Sequence, residues 1–144
     1  MPLNVSKTAS HPWTKRSFDL GDIQLRVLVV DDNHNAAEAM AAYLSSEDMA
    51  CRIAFGGLEA IKIGTDWAPH VILMDISMPE CNGYEATFAL RQDRRTSGTV
   101  ILAFTALNDD SELRAHLDDH SFDGYCQKGQ PPGKLVGLIT SFVL

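Results

Sequence analysis

Three aspartates, a threonine and a lysine each follow a short apolar run: Asp31 and Asp32 after LRVLVV, Asp75 after VILM, Thr105 after TVILAF, and Lys128 just past FDGYC. If these runs are neighbouring strands, the side chains gather at one place. Crowded carboxylates repel one another and raise one another's pKa. A hard divalent cation with oxygen ligands relieves that repulsion, and an ammonium adds further positive charge. Such a place suits an incoming phosphoryl group, whose charge must be neutralised during transfer. One carboxylate can then serve as the nucleophile and carry the phosphoryl group. No Ser-His-Asp or Cys-His arrangement competes at these positions. Each residue alone has an ordinary explanation: an Asp after a strand is often a helix cap or turn former, and a lone lysine is ordinarily solvated. The weight lies in the combination.

The elements that must position these groups are legible. Leu25–Val30 is β-branched and apolar throughout, as expected of a strand buried on both faces of a parallel sheet. Cys51–Phe55, Val71–Met74, Thr99–Phe104 and Phe122–Cys126 read as four further strands. Between and after them lie helical stretches over Asn33–Ser46, Leu58–Thr65, Gly83–Arg94, Asp109–Asp119 and Pro131–Val143. The third of these helices carries Tyr84, Thr87, Phe88 and Arg91 along one stripe, and Pro131 or Pro132 opens the last. Five βα units in strict alternation imply a parallel sheet with helices on both faces. Ligands in such sheets bind beyond the carboxyl ends of the strands, where the five polar residues fall.

Length and composition agree with one domain. The chain has 144 residues, 45% hydrophobic and 22% charged, enough for a core without disulfide staples. Residues 25–144 form the domain. Residues 1–24 hold Pro2, Pro12 and many small polar residues, and read as an extension, flexible or loosely docked, of which Trp13 and Phe18 could pack onto the domain. Cys51, Cys81 and Cys126 are scattered and odd in number, which argues against disulfides or a zinc site and for a cytoplasmic setting. No apolar run is long enough for a membrane span, and no secretory signal is visible. A net charge of -7 argues against direct nucleic-acid binding. The basic clusters, Lys15-Arg16 and Arg91 with Arg94-Arg95, read as solvated surface.

Several segments together resemble the receiver domains of two-component response regulators. Met74-Asp75-Ile76-Ser77-Met78-Pro79 through Asn82-Gly83 looks like their phospho-acceptor segment, and Val29-Val30-Asp31-Asp32-Asn33 like their acidic pair. Phe104-Thr105-Ala106 and Tyr125-Cys126-Gln127-Lys128 look like their fourth and fifth strand ends. The resemblance covers residues 25–144 and implies a flavodoxin-like, doubly wound (βα)5 fold with strand order 2-1-3-4-5.

The resemblance also implies roles. Asp75 would accept the phosphoryl group. Asp32 would bind Mg²⁺ (or Mn²⁺) directly, Asp31 through water, and Asp75 and the backbone carbonyl of Ser77 would complete the protein ligands. Thr105 would hydrogen-bond the phosphoryl group, Lys128 would pair with its charge, and Tyr125 would rotate as a switch. The donor would be a sensor histidine kinase or a histidine phosphotransfer protein. The face shared by helix 109–119, strand 122–126 and helix 131–143 would then control a downstream protein target. The protein would catalyse its own phosphorylation and dephosphorylation and would not be an enzyme acting on a separate substrate. One departure stands out: the family usually has proline after its lysine, whereas Gly129 follows Lys128 here, which suggests a looser turn.

Two other classes compete. A hydrolase using an aspartyl-phosphate would need a second nearby carboxylate and a cap, but Ile76-Ser77 follows Asp75 and no cap insertion is present. A degenerate receiver acting only as a phosphorylation-independent binding module would not need Asp31, Asp32, Asp75, Thr105 and Lys128 together. His34, near the acidic pair, reads as a solvated helix-start histidine.

Overall fold

The computed structural model describes residues 10–106 and 121–144. Helix 109–119, expected from the sequence, lies outside them. The described elements are β1 (Ser10–Pro12), β2 (Arg26–Val30), α1 (His34–Ser46), β3 (Ala50–Ala54), α2 (Gly57–Trp67), β4 (Val71–Asp75), α3 (Gly83–Gln92), β5 (Val100–Thr105), β6 (Gly124–Gln127) and α4 (Pro132–Thr140). They form one sheet in the order β1-β6-β5-β4-β2-β3. The five strands from β2 to β6 run parallel, and their order is the expected 2-1-3-4-5 with one strand added at the edge.

Alternation along the central strands divides the core in two, because successive strand side chains point to opposite faces. Leu28, Val30, Ile72, Met74, Ile101 and Ala103 face α2 and α3. Val27, Val29, Val71, Leu73, Val100 and Leu102 face α1 and α4. All twelve are nearly or wholly buried, which explains why these strands read as continuous apolar runs in the sequence.

Local chemistry fixes where the helices begin. Asn33 caps α1, its side chain accepting the Ala36 amide at 3.0 Å. Asn82 and Glu85 form a reciprocal capping box at α3. Pro131 precedes α4 and Pro132 is its first residue. On α3 the buried face is Tyr84, Ala86, Thr87 and Leu90. Phe88, which the sequence places on the packed stripe, is instead 67% exposed, as is Leu58 of α2 at 64%; the packing of α2 on α3 and the sheet fixes the helix rotation, and a hydropathy stripe defines it only loosely.

Residues 10–24, expected from the sequence to be flexible or loosely docked, run along the β6 edge and back beneath the sheet. β1 pairs antiparallel with β6, Ser10 opposite Cys126. Phe18 bridges to Val143, donating its amide to the Phe142 carbonyl and accepting the Leu144 amide. Its ring also stacks on His70. Among the described residues no helix is long and apolar enough to cross a membrane.

Candidate phosphoryl-acceptor site

The carboxyl ends of β2, β4 and β5 carry Asp31, Asp75 and Thr105, and β6 leads into Lys128. Strand register brings them to one edge. Asp75 lies opposite Phe104, and Thr105 opposite Gln127. The Lys128 amide donates to the Thr105 carbonyl at 2.8 Å, which holds the lysine backbone one step beyond the sheet. Carboxylate oxygens of Asp31, Asp32 and Asp75 lie within 4.8 Å of one another. Asp31 and Asp75 are buried and Asp32 is exposed, so the cluster opens to solvent on the Asp32 side.

Asp31 is held at both oxygens. Its Oδ1 accepts the Asn33 amide at 3.0 Å and its Oδ2 accepts from Lys128 Nζ at 2.9 Å. The same Nζ lies 3.4 Å from Asp75 Oδ2, so one ammonium spans two buried carboxylates. Burial pushes the Asp75 carboxyl up to about 6; Lys128 opposes the shift and the negative charge of Asp31 adds to it. Burial by itself would pull the Lys128 ammonium down. The hydrogen bond to Asp31 and the charges of both carboxylates outweigh it, and the ammonium stands above its ordinary value. The two shifts share a direction because one cation cannot compensate two desolvated anions. Hard oxygen donors with surplus negative charge at an open edge fit a divalent cation such as Mg²⁺.

The segment after Asp75 is tightly turned. The Gly83 amide donates to the Ile76 carbonyl at 3.0 Å. A Cβ at Gly83 would stand 2.3 Å from the Asp75 carbonyl oxygen, so only glycine lets α3 start this close to the acceptor strand. Gly129 takes φ +90°, a conformation that side chains resist. Glycine thus serves the turn after Lys128 where the resemblance leads one to expect proline, and the Lys128 ammonium still reaches both carboxylates.

The expected site residues are distributed as follows. Asp31, Asp32, Asp75 and Lys128 are brought together. Thr105 is buried at the adjoining strand end, and Ser77 is exposed two residues past Asp75. Tyr125 is buried in β6 and stacks on Trp13, with ring centroids 5.9 Å apart. His34 is exposed and stacks on Phe55 at 3.8 Å. The three cysteines are free.

Sequence reasoning passed over Asp123. It is fully buried and ion-paired to Arg16 and Arg91, at 2.8 Å each. These two arginines are therefore not solvated surface charges, as their clusters suggest. An acid within an expected apolar strand was the available signal, since a buried charge requires a partner.

A doubly wound parallel sheet with an acidic cluster and a lysine at its carboxyl edge places the chain in the flavodoxin-like class of α/β proteins. The sequence pattern of the response regulator receiver domain matches residues 27–140. The chain belongs to that family, the receiver domains of two-component signalling. It is 30% identical over 116 residues to the DNA-binding response regulator MtrA of Mycobacterium tuberculosis (strain ATCC 25618 / H37Rv), covering 81% of this chain and 49% of that protein. It is 39% identical over 87 residues to the autoinducer 2 sensor kinase/phosphatase LuxQ of Vibrio harveyi, covering 60% of this chain and 10% of that protein. The chain thus spans half or less of these relatives. Among solved structures, the chemotaxis protein CheY4 of Vibrio cholerae superposes with a TM-score of 0.75 at 23% identity, covering 83% of this chain and 98% of that one. A CheY-like receiver domain from Methanospirillum hungatei JF-1 does so with a TM-score of 0.72 at 22% identity, covering 81% and 91%.

Proposed function

We propose that this receiver domain is a phosphorylation switch whose acceptor is Asp75. The observation that carries the reading is the clustering of Asp31, Asp32 and Asp75 oxygens within 4.8 Å, with Lys128 Nζ spanning Asp31 and Asp75. A carboxylate oxygen of Asp75 forms a bond to phosphorus while the P–N bond of a partner phosphohistidine breaks, and the imidazole leaves with the electron pair. Mg²⁺ or Mn²⁺, held by Asp31, Asp32, Asp75 and the Ser77 carbonyl, supplies charge neutralisation when bound. Lys128 moves from its two carboxylates toward the phosphoryl oxygens, and the Thr105 hydroxyl donates to them. Hydrolysis at the same centre resets the switch.

The donor is a sensor histidine kinase or a histidine phosphotransfer protein, in the cytoplasm. The output is a change at the face of β6 and α4, with Tyr125 as the moving aromatic and a downstream protein as reader.

The test is incubation with acetyl phosphate or phosphoramidate, with and without Mg²⁺, followed by intact mass measurement. A Mg²⁺-dependent gain of one phosphoryl group, absent in Asp75→Asn, is expected. No gain under any condition would sink the switch and leave the phosphorylation-independent binding module.

A further inference from the structure

The outer edge of β6 is covered by the chain's own N-terminal arm. Ser10, His11 and Pro12 pair with Cys126, Tyr125 and Gly124. The Trp13 ring then stacks on Tyr125 with an interplanar angle of 9°. The Trp13 and Thr14 amides both donate to the Asp123 carbonyl, at 2.7 and 3.2 Å. Thr14 Oγ1 and Arg16 Nε both donate to Asp123 Oδ1, at 2.8 Å each. The arm thus reads three features of the body: a strand edge, an aromatic ring and a buried anion.

That seat belongs to the body. The other oxygen of Asp123, Oδ2, accepts from Arg91 and from the Ile101 amide, at 2.8 and 2.9 Å. Asp123 stays fixed and compensated when Arg16 leaves. The arm's grip is limited by comparison. Its strand has three residues, and Pro12 has no amide to donate. Trp13 Nε1 is buried without a hydrogen-bond partner among the described residues, a desolvation cost that weakens the arm's hold. A bare strand edge invites another strand; this one is closed by a short segment that a better match can displace.

We propose that the β6 edge is a strand-addition surface that residues 10–16 hold closed, and that it fits an extended partner segment with an aromatic residue three positions before an arginine. The arm's own Trp13 and Arg16 define that chemistry, the aromatic for Tyr125 and the guanidinium for Asp123. Strand addition gives affinity through backbone hydrogen bonds and specificity through side-chain seats. A tethered arm competes as an intramolecular ligand, so an external segment binds only to the fraction of molecules whose arm is released. This inference goes beyond the phosphorylation reading and does not depend on Asp75 chemistry.

The test uses the full chain and a labelled synthetic peptide of residues 10–18, followed by fluorescence anisotropy. Trp13→Ala/Arg16→Ala opens the edge. The peptide is expected to bind this variant at least tenfold more tightly than the unaltered chain. A peptide with alanine at both positions is expected not to bind. Amides of residues 124–127 should exchange faster in the variant and slow again with peptide. A second variant preserves the arm: Ser10 is the register partner of Cys126, and Ser10→Cys offers that cysteine a disulfide across the strand pair. Oxidised, it should abolish the binding that the unaltered chain retains, and reduction should restore it. Equal affinity for the opened and unaltered chains, or binding that survives the lock, would overturn the proposal. A dimer of the unaltered chain that the lock abolishes would overturn it too, by assigning the edge to arm exchange between copies.

Discussion

Lys128 Nζ lies 2.9 Å from Asp31 Oδ2, joining residues 97 apart in sequence. The ammonium occupies the carboxylates that a divalent cation would use. Lys128→Met should therefore raise Mg²⁺ affinity, by about tenfold at low ionic strength, while lowering phosphoryl uptake at Asp75. Calorimetric titration with Mg²⁺ checks the first effect and intact mass the second. Unchanged or weaker Mg²⁺ binding would mean that Lys128 does not compete.

Asp75 is expected to cost stability when it ionises. Its carboxyl stands at about 6 in the folded chain, against about 3.9 in an unfolded one. Between those values the folded state binds more protons, so this group's contribution to stability is present below about pH 4 and lost as pH rises through 6. Asp75→Asn cannot ionise. In the absence of divalent metal it should be more stable than the parent at pH 7.5 by about 1–2 kcal/mol, less than the full shift because solvent screens the open side. The gap should close near pH 4. Urea denaturation with EDTA at both pH values measures it, and a variant no more stable at pH 7.5 would contradict the raised carboxyl.

Two glycine replacements should behave oppositely. A Cβ at Gly83 would lie 2.3 Å from the Asp75 carbonyl oxygen and 2.8 Å from Ile76 Cα. Both are backbone atoms, so α3 or the acceptor strand must shift. Gly83→Ala should destabilise by about 1–3 kcal/mol and impair phosphorylation. Gly137 lies inside α4 with open space around it; Gly137→Ala should stabilise by up to about 1 kcal/mol. Thermal melts of the two variants provide the comparison.

Asp123 and Asp93 separate buried from exposed ion pairs. Asp123→Ala leaves Arg91 largely buried without its carboxylate and should cost about 3–5 kcal/mol. Asp93 pairs with Arg95 at 2.9 Å on an exposed turn, and Asp93→Ala should leave the melting temperature within error. Comparable losses for both would refute the central place given to Asp123.

How much of this was legible beforehand follows from range. Strands β2, β4 and β5 are buried on both faces, so they read as uninterrupted apolar runs, and the polar residues at their ends mark the site edge. Gly83 and Asn82 likewise announce the start of α3 through local chemistry. The rotation of α3 was not legible: Phe88 belongs to the apolar pattern yet faces solvent. The arm was not legible either, since a strand of three residues ending in proline has no period to detect.

The sequence by itself determined the order of the βα units and the side chains at their carboxyl ends, because burial on both faces and capping leave local patterns. Only the tertiary structure decided that Arg16 and Arg91 meet at Asp123, that Trp13 covers Tyr125, and that one lysine spans two aspartates. These are pairings between distant residues, and composition and spacing carry no record of which charge or ring will find which.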